Sequence, residues 1–142
     1  MMNETNLPIR PLPEADPDSA PFWEGVSRGE LLLQRCGECA TFRFPPGETC
    51  PHCLSREADW RPASGRGRVF SWIVVRHPIP REIFADQVPY IVALIELEEG
   101  VRIASNLVNI DPGDVSDGMP VAVTFRHVAP DRILHAFEPV DD

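Results

Sequence analysis

The chain has 142 residues, of which 13 are basic and 22 acidic, so its formal net charge is −9. An acidic surface repels phosphate backbones and makes nucleic acid an unfavourable partner. The 43 % of apolar residues exclude wholesale disorder, while 16 prolines and nine glycines favour short strands and turns over long helices.

The first 30 residues lack a basic segment followed by an apolar one, so they do not resemble a secretory signal peptide. The longest apolar run, residues 90–95, is too short to cross a bilayer, and we expect no membrane partner. These features predict a cytoplasmic protein. Thiols stay reduced in that compartment, so four cysteines there favour a metal over disulfides.

Residues 1–30 are predicted to form an extended, proline-rich tail followed by one short helix. Asp18 or Ser19 can cap the start of the helix, and Pro21 suits its first turn. Gly29 lies where a glycine commonly ends a helix. The N-terminal part of the chain is therefore expected to contain a single element of secondary structure.

Aromatic residues of the helix and of the cysteine-containing segment are candidates for a partner interface. Phe22, Trp23 and Val26 share one face of the predicted helix, and Phe42 and Phe44 lie between the two cysteine pairs. Each aromatic side chain could instead belong to the core. The sequence leaves both interpretations open.

Residues 31–62 are predicted to form a small zinc ribbon, because their four cysteines follow the pattern Cys36-x2-Cys39-x10-Cys50-x2-Cys53. Two residues between cysteines let both sulfurs of a pair reach one ion, and two such pairs complete a tetrahedron. Four thiolates favour zinc and leave no open coordination position, so the ion is expected to be structural. A rubredoxin-like iron site would use the same ligands.

Two details of the ribbon depart from a simple pattern. His52 lies within the second pair but is superfluous once four sulfurs bind, so we expect a surface residue or a donor to a ligand sulfur. Ala40 and Leu54 follow the two pairs at positions where glycine is common. These two turns are therefore expected to be slightly strained.

Residues 63–142 are predicted to form a five-stranded barrel of the oligonucleotide/oligosaccharide-binding (OB) type. Five runs of strand-like composition follow one another with no helix between them: residues 69–75, 90–97, 101–108, 119–128 and 133–137. The OB fold is a common closed solution for five strands. The predicted fold class is thus mostly β, with a short helix, a rubredoxin-like zinc ribbon and a barrel.

Arginines of the barrel segment are candidate ligand-binding residues. Arg66, Arg68, Arg76 and Arg81 lie close together in the sequence, with Arg61 just before them. They could form a local basic patch on an otherwise acidic protein. The alternative is a set of solvated charges at strand edges.

No motif of a catalytic site is recognisable. The chain lacks a phosphate-binding glycine loop and a Gly-x-Ser-x-Gly elbow, and its cysteines are assigned to metal. His77, His127 and His135 lie on different predicted strands and are expected to be surface or satisfied residues. We expect no enzyme active site.

The order of motifs resembles a known family. The series comprises Phe22-Trp23, the Gln34-Arg35-Cys36-x-x-Cys39 and Phe44-Pro45-Pro46 segments, Cys50-Pro51-x-Cys53, Gly65-x-Gly67-x-Val69 and Gly118-Met119-x-Val121. It resembles the acyl-CoA-associated family that joins a rubredoxin-like zinc ribbon to an OB-type barrel, long catalogued as a domain of unknown function. The resemblance spans roughly residues 20–138.

The resemblance implies a non-catalytic companion of thiolase-superfamily enzymes: thiolases, acyltransferases or thiolase-like aldolases of lipid and steroid side-chain metabolism. Such a companion stabilises its partner and helps form the acyl-CoA channel, and the arginines could then meet the phosphates of coenzyme A. Two alternatives remain. One is a single-stranded nucleic-acid-binding module that uses Phe70, Trp72, Phe125 and Phe137 as stacking platforms; the other is a thioesterase.

Overall fold

The computed structural model describes residues 11–141; the first ten residues of the predicted tail and Asp142 lie outside the described residues. The elements in chain order are α1 (Ala20–Ser27), β1 (Leu32–Cys36), β2 (Phe42–Arg43), β3 (Ala58–Pro62), β4 (Arg66–Val75), α2 (Arg81–Phe84), β5 (Tyr90–Leu97), β6 (Arg102–Leu107), a 3-10 turn (Pro112–Asp114), β7 (Pro120–Ala129) and β8 (Arg132–Pro139). The predicted fold class is confirmed. The short elements β2, β3 and α2 were not predicted.

Helix α1 starts with a reciprocal pair of hydrogen bonds. The Ser19 amide donates to the Asp16 carboxylate at 2.7 Å, and the Asp16 amide donates to the Ser19 hydroxyl at 3.1 Å. Ser19, one of the two predicted residues, holds the N-cap position but its side chain caps no helical amide; Asp16 closes the turn that precedes the helix. At the other end Gly29 has a φ of +77°, and the Gly29 and Glu30 amides donate to Val26 and Gly25. This is a Schellman ending, as the glycine predicts.

The ribbon is a three-stranded antiparallel sheet in the order β2-β1-β3. Its central strand pairs Gln34 with Arg43 on one side and with Trp60 on the other. Residues directly opposite each other in a sheet point to the same face. Gln34, Arg43 and Trp60 therefore share a face with Cys36, which lies two residues further along β1.

The five long strands close a barrel in the order β4-β5-β6-β8-β7. All neighbours are antiparallel except β6 and β8, which are parallel and pair only at Asn106–Ala136 and Leu107–Phe137. Strands β4 and β5 pair at eight positions, with a bulge between Val69 and Ser71. A closed barrel of this size has side chains filling its interior.

One hydrophobic core joins the helix, the ribbon and the barrel. Phe22 of α1, Leu33 of β1 and Phe137 of β8 are all at most 2 % exposed and belong to the same buried cluster. The Phe22 ring lies 5.3 Å from that of Phe44 and 5.7 Å from that of His135. The segments at residues 1–30, 31–62 and 63–142 thus pack as one body in the described part of the chain.

The prediction that Phe22 contacts a partner is wrong. Its side chain is 2 % exposed and is surrounded by residues of its own chain. The helix packs on β1 and β8, so the apolar stripe is used inside the molecule. Trp23, Phe42 and Phe44 are half-buried against the same core.

Candidate functional site

Two tight turns present the four cysteines. In the first, the Ala40 amide donates to the Cys36 carbonyl at 3.1 Å; in the second, the Leu54 amide donates to the Cys50 carbonyl at 2.9 Å. Ala40 and Leu54 have φ values of +64° and +67°, a region that favours glycine. The strain expected from the sequence is present at both turns.

The four sulfur atoms converge on one point. All lie within 4.8 Å of one another, with Cys36 and Cys53 Sγ atoms 3.5 Å apart and Cys39 and Cys50 Sγ atoms 3.6 Å apart. A tetrahedron with Zn–S bonds of about 2.3 Å has edges of about 3.8 Å. The donor set and its spacing fit one zinc ion, and four sulfurs leave no position for a substrate.

Local hydrogen bonds differentiate the thiols. The Cys39 and Glu38 amides lower the pKa of Cys36, and the Thr41 hydroxyl lowers the pKa of Cys39 to about 6. For Cys53, the Ser55 amide acts in the lowering direction, but the Cys36 sulfur and desolvation outweigh it and raise the pKa to about 12. Amides directed at sulfur favour thiolates, the form that binds metal. His52 is exposed and lies outside the sulfur cluster.

A buried arginine lies on the same face of the ribbon. Arg43 is 7 % exposed; its Nε donates to Gln34 Oε1 and its Nη2 to the Gly47 carbonyl, both at 2.9 Å. The Gly47 amide also donates to Gln34 Oε1 at 2.9 Å. This network fixes the loop that leads to Cys50. The alternation Phe42-Arg43-Phe44 in an extended segment is the sequence signal that Arg43 faces away from the two phenylalanines.

The structure does not bring the four candidate ligand-binding arginines together. Arg66 and Arg68 lie at the start of β4, and Arg76 and Arg81 lie beyond its end, so a separation of about 25 Å follows from the strand rise. Arg66 donates to the Asp141 carbonyl and Arg68 to the Gly118 carbonyl. A single basic patch, as one interpretation of the sequence had it, is therefore wrong.

The first pair of arginines lines a cavity of about 320 Å³ between β4, β5 and the start of β7. Glu96 and Glu98 line the same cavity, so its charges offset one another. Arg76 and Arg81 are exposed; Arg76 lies in the loop after β4 and Arg81 begins α2. Neither of these two arginines has a carboxylate partner within the described residues.

His135 is a satisfied interior residue. Its Nδ1 lies 2.8 Å from the Ser105 hydroxyl, and its ring stacks on Trp23 with a centroid distance of 6.0 Å. Burial lowers the pKa of His135 to about 4. Ser105 is 8 % exposed, and no carboxylate of the described residues orients the imidazole, so the pair lacks the third member of a hydrolase triad.

The aromatic residues considered as stacking platforms are mostly internal. Phe137 is fully buried, and Trp72 and Phe125 pack against the core. Phe70 is 45 % exposed, but the Arg102 guanidinium lies 3.7 Å from its ring centroid. A continuous aromatic groove for single-stranded nucleic acid is not formed by residues 11–141.

Large apolar side chains are exposed elsewhere, on residues that the sequence did not single out as an interface. Ile73 on β4 is 62 % exposed, Ile79 in the following loop is 81 % exposed, and Leu54 in the second cysteine turn is 75 % exposed. Ile73 follows the bulge in β4, which turns it outwards. In the part of the chain that the structure describes, no helix is long and apolar enough to span a membrane.

Comparisons with known proteins agree with this architecture. The family model for the rubredoxin-like zinc ribbon domain of ChsH2 matches residues 23–59, and that for the C-terminal OB-fold domain of ChsH2 matches residues 60–126. A DUF35 domain-containing scaffold protein of Methanocaldococcus jannaschii is 43 % identical over 111 residues, which is 77 % of each chain. The chain belongs to the DUF35 family.

Another relative is longer than this chain. The probable enoyl-CoA hydratase alpha subunit of Thermomonospora curvata is 43 % identical over 131 residues, which is 92 % of this chain but 40 % of that protein. The chain thus spans less than half of the relative's length, and its name describes a larger protein. The solved structure of the Ltp2-ChsH2(DUF35) aldolase matches with a TM-score of 0.83 and 42 % identity over 90 % of this chain and 98 % of that one.

Proposed function

We propose that this chain is a non-catalytic subunit that binds a thiolase-superfamily enzyme and helps form its acyl-CoA channel, in lipid or steroid side-chain metabolism. The observation that supports this most is the likeness to a DUF35 chain of an aldolase complex over nearly its whole length. The names of archaeal relatives as scaffold proteins are consistent with the same role.

The chemistry of the described residues supports a role without catalysis. The metal site is saturated by four sulfurs, and the barrel is filled by its own side chains. Ser105 is buried and His135 is half-buried, and the two form a hydrogen-bonded pair with a neutral imidazole at neutral pH. We infer that the nucleophile or base belongs to the partner.

For the docking surface we propose Phe70, Ile73 and Ile79, which we call the β4 face. All three are exposed large apolar side chains, on β4 or in the loop that follows it, and exposed apolar surface marks interaction sites. The loop between the first two barrel strands, which contains Ile79, is one of the places where OB folds bind their ligands. Trp23, Phe42 and Phe44 remain candidates for a second contact, because they are only half-buried.

The test of docking is co-expression with candidate thiolase-superfamily proteins of the same organism, followed by purification through a tag on one subunit. We expect a stoichiometric complex and a fall in the partner's turnover when this chain is omitted. Ile73→Glu and Ile79→Glu should weaken the complex, whereas Leu54→Glu, an equally exposed residue on the ribbon, should not. A monomeric chain that leaves turnover unchanged would contradict the proposed function.

For the coenzyme we propose that Arg76 and Arg81 contact phosphate groups of acyl-CoA in the complex. They are exposed, five residues apart and unpaired within the described residues. Guanidinium groups bind phosphates with two parallel hydrogen bonds. Arg66→Ala is the control, because that side chain is engaged by the Asp141 carbonyl.

The measurement is the KM for acyl-CoA of the assembled enzyme. Arg76→Ala and Arg81→Ala should each raise KM, with the control near the unmodified value. If the control raises KM as much, or the two variants leave it unchanged, the arginine assignment fails while the docking proposal stands. Gel filtration shows whether each variant still assembles with the partner, and so distinguishes a lost coenzyme contact from lost docking.

A further inference from the structure

Arg43 is a buried charge that has no carboxylate partner. It is 7 % exposed and makes two hydrogen bonds to neutral oxygens, those of Gln34 and Gly47. Its Nη1 is buried without a hydrogen-bond partner. No ion pair joins it to an acidic residue within the described chain. Such a charge is costly to desolvate unless an opposite charge compensates it.

The first metal ligand, Cys36, lies on the same face of the ribbon as Arg43. Gln34 and Cys36 are two residues apart on β1, so both point to the face that Arg43 occupies. The carbonyl that Arg43 binds, that of Gly47, belongs to the loop leading to Cys50. Four thiolates around one divalent ion carry a net charge of −2.

We propose that Arg43 is the electrostatic counter-charge of the zinc tetrathiolate, and so a positioning residue that couples metal affinity to the fold of the ribbon. Its burial is stabilised by the net charge of −2 that the zinc-loaded site carries. Its hydrogen bonds to Gln34 and Gly47 keep the guanidinium on the metal face.

Arg35 offers a matched comparison. It is next to Cys36 in the sequence but points to the opposite face of β1. Its charge acts on the Asp59 carboxylate, whose pKa is lowered chiefly by Arg61 and additionally by Arg35. Arg35 is therefore compensated by an acidic side chain, whereas Arg43 is not.

The experiment measures the zinc affinity of the full chain by competition with a chromogenic chelator, and thermal unfolding with zinc bound and after its removal under reducing conditions. Arg43→Met should bind zinc about 10- to 100-fold more weakly, the range seen when groups around a ligand set are removed. Arg43→Lys, which keeps the charge, should stay near the unmodified affinity, as should Arg61→Met, which removes an exposed arginine that is paired with Asp59 on β3.

The two states should respond to different extents. With zinc bound, Arg43→Met should unfold at a lower temperature than the unmodified chain; after zinc removal the fall should be smaller, because the zinc tetrathiolate is then absent. An equal fall in unfolding temperature in both states would show that Arg43 acts only through its hydrogen bonds to Gln34 and Gly47, and would overturn the proposal. So would an Arg43→Lys chain as weak in zinc binding as Arg43→Met. If Arg43→Met does not fold, Arg43→Gln, which keeps a hydrogen-bond donor, takes its place.

Discussion

Replacement of Phe22 by alanine tests whether one core joins the helix, the ribbon and the barrel. The ring is 2 % exposed and lies within 5.0 to 5.7 Å of the rings of Trp23, Phe44 and His135. Removal of a buried phenyl group costs about 3–5 kcal/mol, because the transfer free energy is lost and a cavity remains. Since its walls come from three separate elements, the cavity cannot close by the movement of one side chain.

A loss of about 4 kcal/mol corresponds to a fall in Tm of roughly 12 °C for a chain of this length. The assay is thermal unfolding of the zinc-loaded chain without a partner, followed by circular dichroism. Phe70→Ala is the control, because the same side chain is removed from an exposed site and Tm should change little. The reasoning is refuted if Phe22→Ala unfolds like the unmodified chain and loses only its ability to bind a partner.

Three further outcomes are expected. Cys39→Ser should fail to retain zinc through gel filtration and should loosen the ribbon, since zinc binding supplies about 10 kcal/mol or more of folding free energy to such sites; stoichiometric zinc in the variant would count against a four-sulfur site. His135 has a pKa of about 4 in the fold, so the imidazole of the unfolded chain is protonated first as pH falls below 6.5. The free energy of unfolding should therefore fall by about 2 kcal/mol by pH 5. In denaturant titrations with excess zinc, His135→Asn should not show this part of the loss. Gly67→Ala would place a methyl group 2.5 Å from the Glu96 carbonyl and should strongly lower Tm, whereas Gly113→Ala, with open space around it, should leave Tm unchanged.

Elements governed by local chemistry could be predicted from the sequence. The bounds of Tyr90–Leu97 follow from its continuous β-branched and apolar run, because a barrel strand is buried on one face and partly covered on the other. The metal ligands follow from spacing alone, because two short turns determine where four sulfurs lie. The strain at Ala40 and Leu54 follows from the same turns.

Elements that depend on distant contacts could not be predicted. Strand β3, Ala58–Pro62, is mostly exposed and has no apolar alternation, so only its pairing with β1 defines it. The burial of Phe22 was undetermined, because a core and an interface require the same apolar stripe. Arginines close in sequence were separated because β4 extends over ten residues between the two pairs. The burial of Arg43 was not signalled by its residue type, since arginine is seldom interior.

The parallel contact between β6 and β8 is the shortest seam of the barrel, with two paired positions where β4 and β5 have eight. Beyond those two positions, the strands are fastened by the bond of the Val108 amide to the Phe137 carbonyl and by the Ser105–His135 pair. Separation of these strands disrupts the fewest paired positions, so we expect transient opening of the barrel to begin along this line. Helix α1 packs on β8 beside this line, and we expect it to oppose that opening.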